Sequence, residues 1–169
     1  IDRINKLLFH IFNNLTFLEK STPFGFQQVH HKCFFNPFEG QIDTGKMMNA
    51  LIKKAIGLGA KILTGMNVKS TSPEGEVELE NDFKISGKKV VVATNGFANQ
   101  LLNVSVEPAR AQVLITKKIQ GLSIKGTFHM DQGYYYFRNI NDRILFGGGR
   151  QLDFNGEKTS KFGLNLHIQ

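Results

Sequence analysis

The heptapeptide GYYYFRN, residues 133–139, brings together the side chains best suited to ligand chemistry. In an extended strand successive side chains point to opposite faces. Tyr134, Tyr136 and Arg138 therefore fall in one row, and Tyr135 and Phe137 in the other. Two phenolic hydroxyls followed by a planar guanidinium fork suit a carboxylate held beside an apolar pocket. The same row is also compatible with a solvent-facing surface on which Arg138 pairs with Asp142 or Glu157. The Tyr135 and Phe137 row is the better core face.

Other candidate constellations are weaker. The segment GLGAKILTG places Gly57 and Gly59 two apart, but Ile62 stands where a third glycine of G-x-G-x-x-G is required. These glycines also follow a helix pattern instead of opening one, so they read as a helix stop and not as a pyrophosphate cradle. His30, His31 and Cys33 are too closely spaced to converge on one tetrahedral ion, and no second ligand pair follows; no metal is expected. There is no G-x-S-x-G elbow, and a lone cysteine among aromatic residues is more often packed than nucleophilic. No catalytic dyad emerges.

The elements that must position these residues belong to a chain of 169 residues, long enough for one core and read here as a single compact fragment, residues 1–169. Lys and Arg number 21 against 14 Asp and Glu, a net charge of +7. The basic residues occur in pairs beside apolar runs, without an arginine-rich tract or an RNA-binding aromatic signature, so no nucleic acid is expected as a partner. A noncatalytic domain gripping a small anion is the leading alternative to an enzyme, and a basic nucleic-acid binder the lesser one. No window approaches a transmembrane helix and no signal peptide opens the chain. With one cysteine there is no disulfide framework, and a reducing, cytoplasmic setting is expected. The chain opens on Ile1 and closes on Gln169, so both native termini are expected to lie elsewhere.

Ile4, Leu7, Leu8, Ile11, Phe12 and Leu15 recur at helical spacing, which predicts an amphipathic helix ending near Ser21-Thr22-Pro23. Residues 24–38 show no usable period. Asp43 to Gly59 predicts a helix with Met48, Leu51, Ile52, Ala55 and Ile56 as its stripe and Gly59 as its stop. AKILTG, NVKSTS, GEVELEN, FKIS and KKVVVAT then read as strands, the last apolar on both faces like a buried parallel strand. After a short helix near Asn95 come ARAQVLITKK, GTFHM, GYYYFRN and DRILFGGG. Strands in series with few helices predict an α+β fold with a mainly antiparallel sheet and packed helices.

Four of these segments also form an ordered series: EGQIDTGKMMNALIKKAIGLGAKIL, KKVVVATNGFANQLL, EPARAQVLIT and GYYYFRNINDRILFGGGR. The series resembles the D-amino-acid-oxidase-like superfamily of FAD enzymes, which includes glycine, sarcosine and D-amino-acid oxidoreductases. The likeness covers residue 39 to about residue 150, and it identifies the chain as an internal fragment. It implies that residues 39–107 are part of an FAD-binding α/β domain lacking its glycine-rich start, with residues 1–38 and 108–169 on the substrate side. It further implies that Val68, Ala93, Thr94, Asn95 and Gly96 approach the cofactor, Val68 through its backbone. The aromatic strand with Tyr134, Tyr136 and Arg138 then belongs to the substrate-side sheet. Arg110, in the proline-arginine-glutamine motif, holds a ligand carboxylate or, in the preferred reading, pairs with an acidic residue of a segment outside this sequence. The implied activity is oxidation of a C–N bond in an amine or amino acid by hydride transfer to FAD. The implied partners are that small molecule and the missing N- and C-terminal segments of the same chain; the fragment alone is expected neither to retain FAD nor to turn over.

Overall fold

A computed structural model describes residues 1–168. Two helices, α1 (Asp2–Phe12) and α2 (Thr44–Gly57), accompany nine short strands. These are β1 (Leu18–Ser21), β2 (Lys32–Phe35), β3 (Val68–Thr71), β4 (Glu76–Leu79), β5 (Lys84–Ser86), β6 (Gln112–Ile115), β7 (Thr127–Met130), β8 (Tyr135–Ile140) and β9 (Arg143–Gly148). They form sheets ordered β1-β2, β3-β4-β5 and β6-β9-β8-β7. The pairings β1–β2, β3–β4, β4–β5 and β7–β8 are antiparallel, so the fold is α+β as the segment order predicts.

The chain divides into two compact units, one of residues 1–44 and 114–146 and another of residues 45–113 and 147–169, with the division falling inside β6 and β9. In the first unit α1 is shorter than its apolar period predicts. It stops at Phe12 because Asn13 adopts left-handed geometry and returns its N–H to the Phe9 carbonyl, a conformation asparagine tolerates better than most residues. Leu18–Ser21, expected to be helical, pairs instead with β2, and Leu15 lies beyond the helix. The expected apolar face of α1 is exposed, Leu7 at 61 % and Ile11 at 62 %. The residue it buries is Asn5, whose Nδ2 donates to the Phe17 carbonyl at 2.9 Å while its Oδ1 accepts the Phe17 N–H at 2.8 Å. One side chain thus serves both backbone groups of a segment that no strand pairs.

In the second unit α2 follows its prediction closely. Gly59 at φ +93° ends it, and the amides of Leu58, Gly59 and Ala60 return to carbonyls of residues 54–56, which satisfies groups that a helix end leaves open. β3–β5 form a meander around Leu79, which at 3 % exposure is the fully enclosed apolar side chain among the described residues. Its tight turn requires Gly75, since a Cβ there would meet the Gly87 carbonyl oxygen at 2.2 Å. Two expected strands do not form. Residues 60–65 and 88–94 have no ladder partner among the described residues, and Val91 is 85 % exposed instead of buried. A strand's backbone groups are satisfied only by a neighbour, and the hydrophobic run alone does not supply one.

Candidate functional site

β8 lies between β7 and β9, so its side chains divide cleanly between two faces. On one face Phe137 stacks on Phe128 at 4.6 Å, and Phe26 meets both rings edge-on at 5.7 and 5.5 Å. Tyr135 stacks on Phe146 of β9 at 6.0 Å. This apolar face leaves the alternate residues to point the other way. The register pairs Tyr136 with His129 and Arg138 with Thr127, which places an imidazole, a phenol, a guanidinium and a hydroxyl together on the second face.

Tyr134 does not extend that row. It precedes β8 with helical angles, φ −68° and ψ −24°, and gives its N–H to the Asp131 carbonyl. Strand alternation therefore starts one residue later than the sequence suggests, because the turn Asp131–Gly133 is closed by positive-φ backbone at all three of its residues. Arg138 pairs with neither Asp142 nor Glu157. Its Nη1 donates to the Ile42 carbonyl, so the turn leading into α2 is fastened to the end of β8. Gln41 strengthens the clip, its Nε2 donating to the Asn139 carbonyl at 3.3 Å and its Oε1 accepting from the Thr127 hydroxyl at 3.4 Å. Gln41 and His129 were not apparent from sequence as members of this site, since only the register of β7 against β8 and a return over about a hundred residues bring them there.

The second unit holds the cofactor candidates. Val68 begins β3, an edge strand, so part of its backbone edge is not used by the sheet. Ala93 is exposed and Asn95, at φ 48°, opens the 3-10 turn Asn95–Gln100. Gly96 lies against Pro108, where an added Cβ would meet the proline Cβ at 3.2 Å, so its glycine is explained by packing within the unit. Thr94 differs: its Oγ1 is buried and makes no hydrogen bond. A buried hydroxyl left unpaired is costly; Thr16 Oγ1, Arg150 Nε and Gln151 Oε1 are likewise unpaired, and of the four only Thr94 belongs to the expected cofactor strand. An unused hydroxyl and an edge backbone fit a dinucleotide with its many acceptors.

Arg110 has its acid within the described chain. Its Nε and Nη2 form a two-pronged pair with Glu157 at 3.1 and 2.8 Å, and its own amide donates to the Glu157 carbonyl at 2.8 Å. Gln112 donates to the same carboxylate at 3.1 Å. This corrects the expectation of a partner outside the sequence, and it makes the charged tail an integral part of the unit. Glu157 is fully buried, and the Arg110 guanidinium holds its carboxyl down to about 2 against the loss of hydration. Nearby, Asp153 accepts from Asn165 Nδ2 at 2.9 Å and from the Gly156 amide, which lowers its pKa in that order of influence.

The chain is α+β, with a polar strand face opposed to an aromatic one. The FAD dependent oxidoreductase (DAO) family profile matches residues 15–165, and the chain belongs to that family. FAD is accordingly the cofactor of the full-length protein, which is an oxidoreductase. Neither the curated proteins nor the solved structures gave a match. No helix among the described residues is long and apolar enough to cross a membrane.

Proposed function

We propose that the full-length protein oxidises the C–N bond of an amino acid or a related amine, and that Tyr136 and Arg138 bind the substrate's carboxylate. The observation that carries this reading is the division of β8: one face is filled by stacked phenylalanines, while the other sets a guanidinium and a phenol side by side with no acidic partner for the guanidinium among the described residues. A carboxylate supplies that missing charge, and Arg138 keeps donors for it beyond the one engaged by Ile42. Tyr134 stands at the turn before this strand and is retained as a flanking residue.

When bound, FAD supplies the acceptor for the hydride that leaves the substrate α carbon, and the C–N bond becomes an imine that water hydrolyses. The chain's own tasks are binding and orientation. In the second unit Thr94 would offer its unused hydroxyl to the cofactor, and Val68, Ala93, Asn95 and Gly96 would offer backbone. Residues 39–107 form the cofactor side in this reading, and residues 1–38 and 108–169 the substrate side. The 169 residues contain no G-x-G-x-x-G loop, and we expect them alone to show no turnover.

The test is Arg138→Lys in full-length, FAD-loaded protein. Lysine keeps the charge and can still reach the Ile42 carbonyl but loses the planar fork. KM for a carboxylate-bearing amine should rise about tenfold or more, the equivalent of ~1.4 kcal/mol, with kcat and the unfolding midpoint little changed. Unchanged KM removes Arg138 from substrate binding.

A further inference from the structure

We propose that His129 takes the proton from the substrate's ammonium group, so that the amine is neutral when its hydride leaves; this role rests on the amine-oxidation reading above. The register of β7 against β8 carries the assignment. His129 lies directly opposite Tyr136, with ring centroids 6.3 Å apart and planes inclined by 37°, and diagonally from Arg138, which faces Thr127. Diagonal neighbours on one sheet face are about 7–8 Å apart. In an α-amino acid the nitrogen is one carbon from the carboxylate, so a substrate whose carboxylate Arg138 holds carries its ammonium on the sheet face that His129 shares.

The chemistry of the neighbours leaves the task to this residue. The titratable and charged groups on the elements packed against β7 are Tyr135, Tyr136 and Arg138 of β8, Asp131 of the turn after it, and Asp43, which follows the Gln41–Ile42 clip on Thr127 and Arg138. Phenols and guanidiniums as classes hold their protons at neutral pH. Asp131 sits in the turn beyond the strand at φ 48°, outside the alternating row. A neutral imidazole offers a ring nitrogen that accepts a proton, and His129 is exposed to water. The step is a proton transfer alone: the substrate nitrogen loses H⁺, the imidazole gains it, and the electron pair left on nitrogen forms the C=N bond as the α-carbon hydride departs to FAD.

The experiment compares full-length, FAD-loaded wild type with His129→Gln, using sarcosine as amine and propionate as a carboxylate lacking one. Glutamine preserves size and hydrogen bonding at an exposed position but accepts no proton. Flavin reduction by sarcosine is followed against pH, and propionate binding is read from the perturbed flavin spectrum. Loss of the limb near neutrality, with reduction at pH 7 slowed about tenfold or more and displaced toward the amine's own alkaline titration, supports the proposal when propionate binding is unchanged. Retention of the wild-type pH profile overturns it, even where Arg138→Lys weakens propionate and the carboxylate site stands. If Arg138→Lys leaves propionate binding intact, the carboxylate reading fails instead, and a profile altered in His129→Gln then marks proton transfer at a site arranged differently.

Discussion

Glu157 has no exposed surface, and the Arg110 fork that neutralises it comes from 47 residues earlier in sequence. Burial alone would raise a carboxyl pKa; here the paired guanidinium and the Gln112 amide reverse the sign and bring it to about 2. A carboxyl held below its ordinary 4.5 contributes stability that is fully present above that value and is lost as pH falls from 4.5 toward 2. In urea denaturation, the advantage of wild type over Glu157→Gln should be constant above pH ~5 and shrink steadily below it. Arg110→Met should cost more, ~3–5 kcal/mol, because it strands a buried charge. An advantage that holds undiminished to pH 2 would show that ionised Glu157 is not the stabilising species. Nothing local to Lys158 or Gly156 announces this role in the sequence. The charge pattern shows that an acid is present, and only the fold shows that it has left water.

At the level of elements, what was legible depended on whether the deciding contacts are local. The stripe and glycine stop of α2 lie within its own turns, and the helix forms where they predict. The turn pairs of β4–β5 and β8–β9 are likewise near neighbours, the second closed by Asn141 and Asp142 at positive φ. α1 was overestimated because a helical period cannot register the left-handed Asn13 or the pairing of Leu18–Ser21 with Lys32–Phe35. KKVVVAT fails for the complementary reason, since its composition favours a strand but no strand among the described residues pairs with it. Asn5 offers a sharp test of how α1 is held. The helical wheel nominates Leu7 as an anchor, whereas the structure leaves Leu7 exposed and gives Asn5 both backbone groups of Phe17. Asn5→Ala should therefore destabilise the chain by ~1–3 kcal/mol, and Leu7→Ala by less than ~0.5 kcal/mol. The reverse ranking in thermal or urea unfolding would mean that the apolar face, not the amide, secures the helix.

Across the whole molecule, α+β class was readable because strands follow one another with few helices between them, and family membership because four short motifs keep their order and spacing. The details of the candidate site were less readable. Strand alternation identified Tyr136 and Arg138 as sharing a face but carried the row one residue too far, to Tyr134, and it could not see His129 or Gln41, which arrive by register and by a return of the chain. The exposed stripe of α2, with Leu51 at 54 % and Ile56 at 54 %, shows how little of this sequence's apolar surface is covered by the residues themselves. That the full-length flavoprotein accepts hydride from an amine bearing a carboxylate is the proposal on which the rest depends. It is tested most directly by adding amino acids and N-methylated amino acids, one at a time and without oxygen, to the FAD-loaded full-length protein while following the visible absorbance of the flavin. At least one of them should bleach the flavin, and the matching carboxylate without nitrogen should bind without bleaching it. Persistent yellow colour with every amine, together with bleaching by a hydroxy acid, would contradict it.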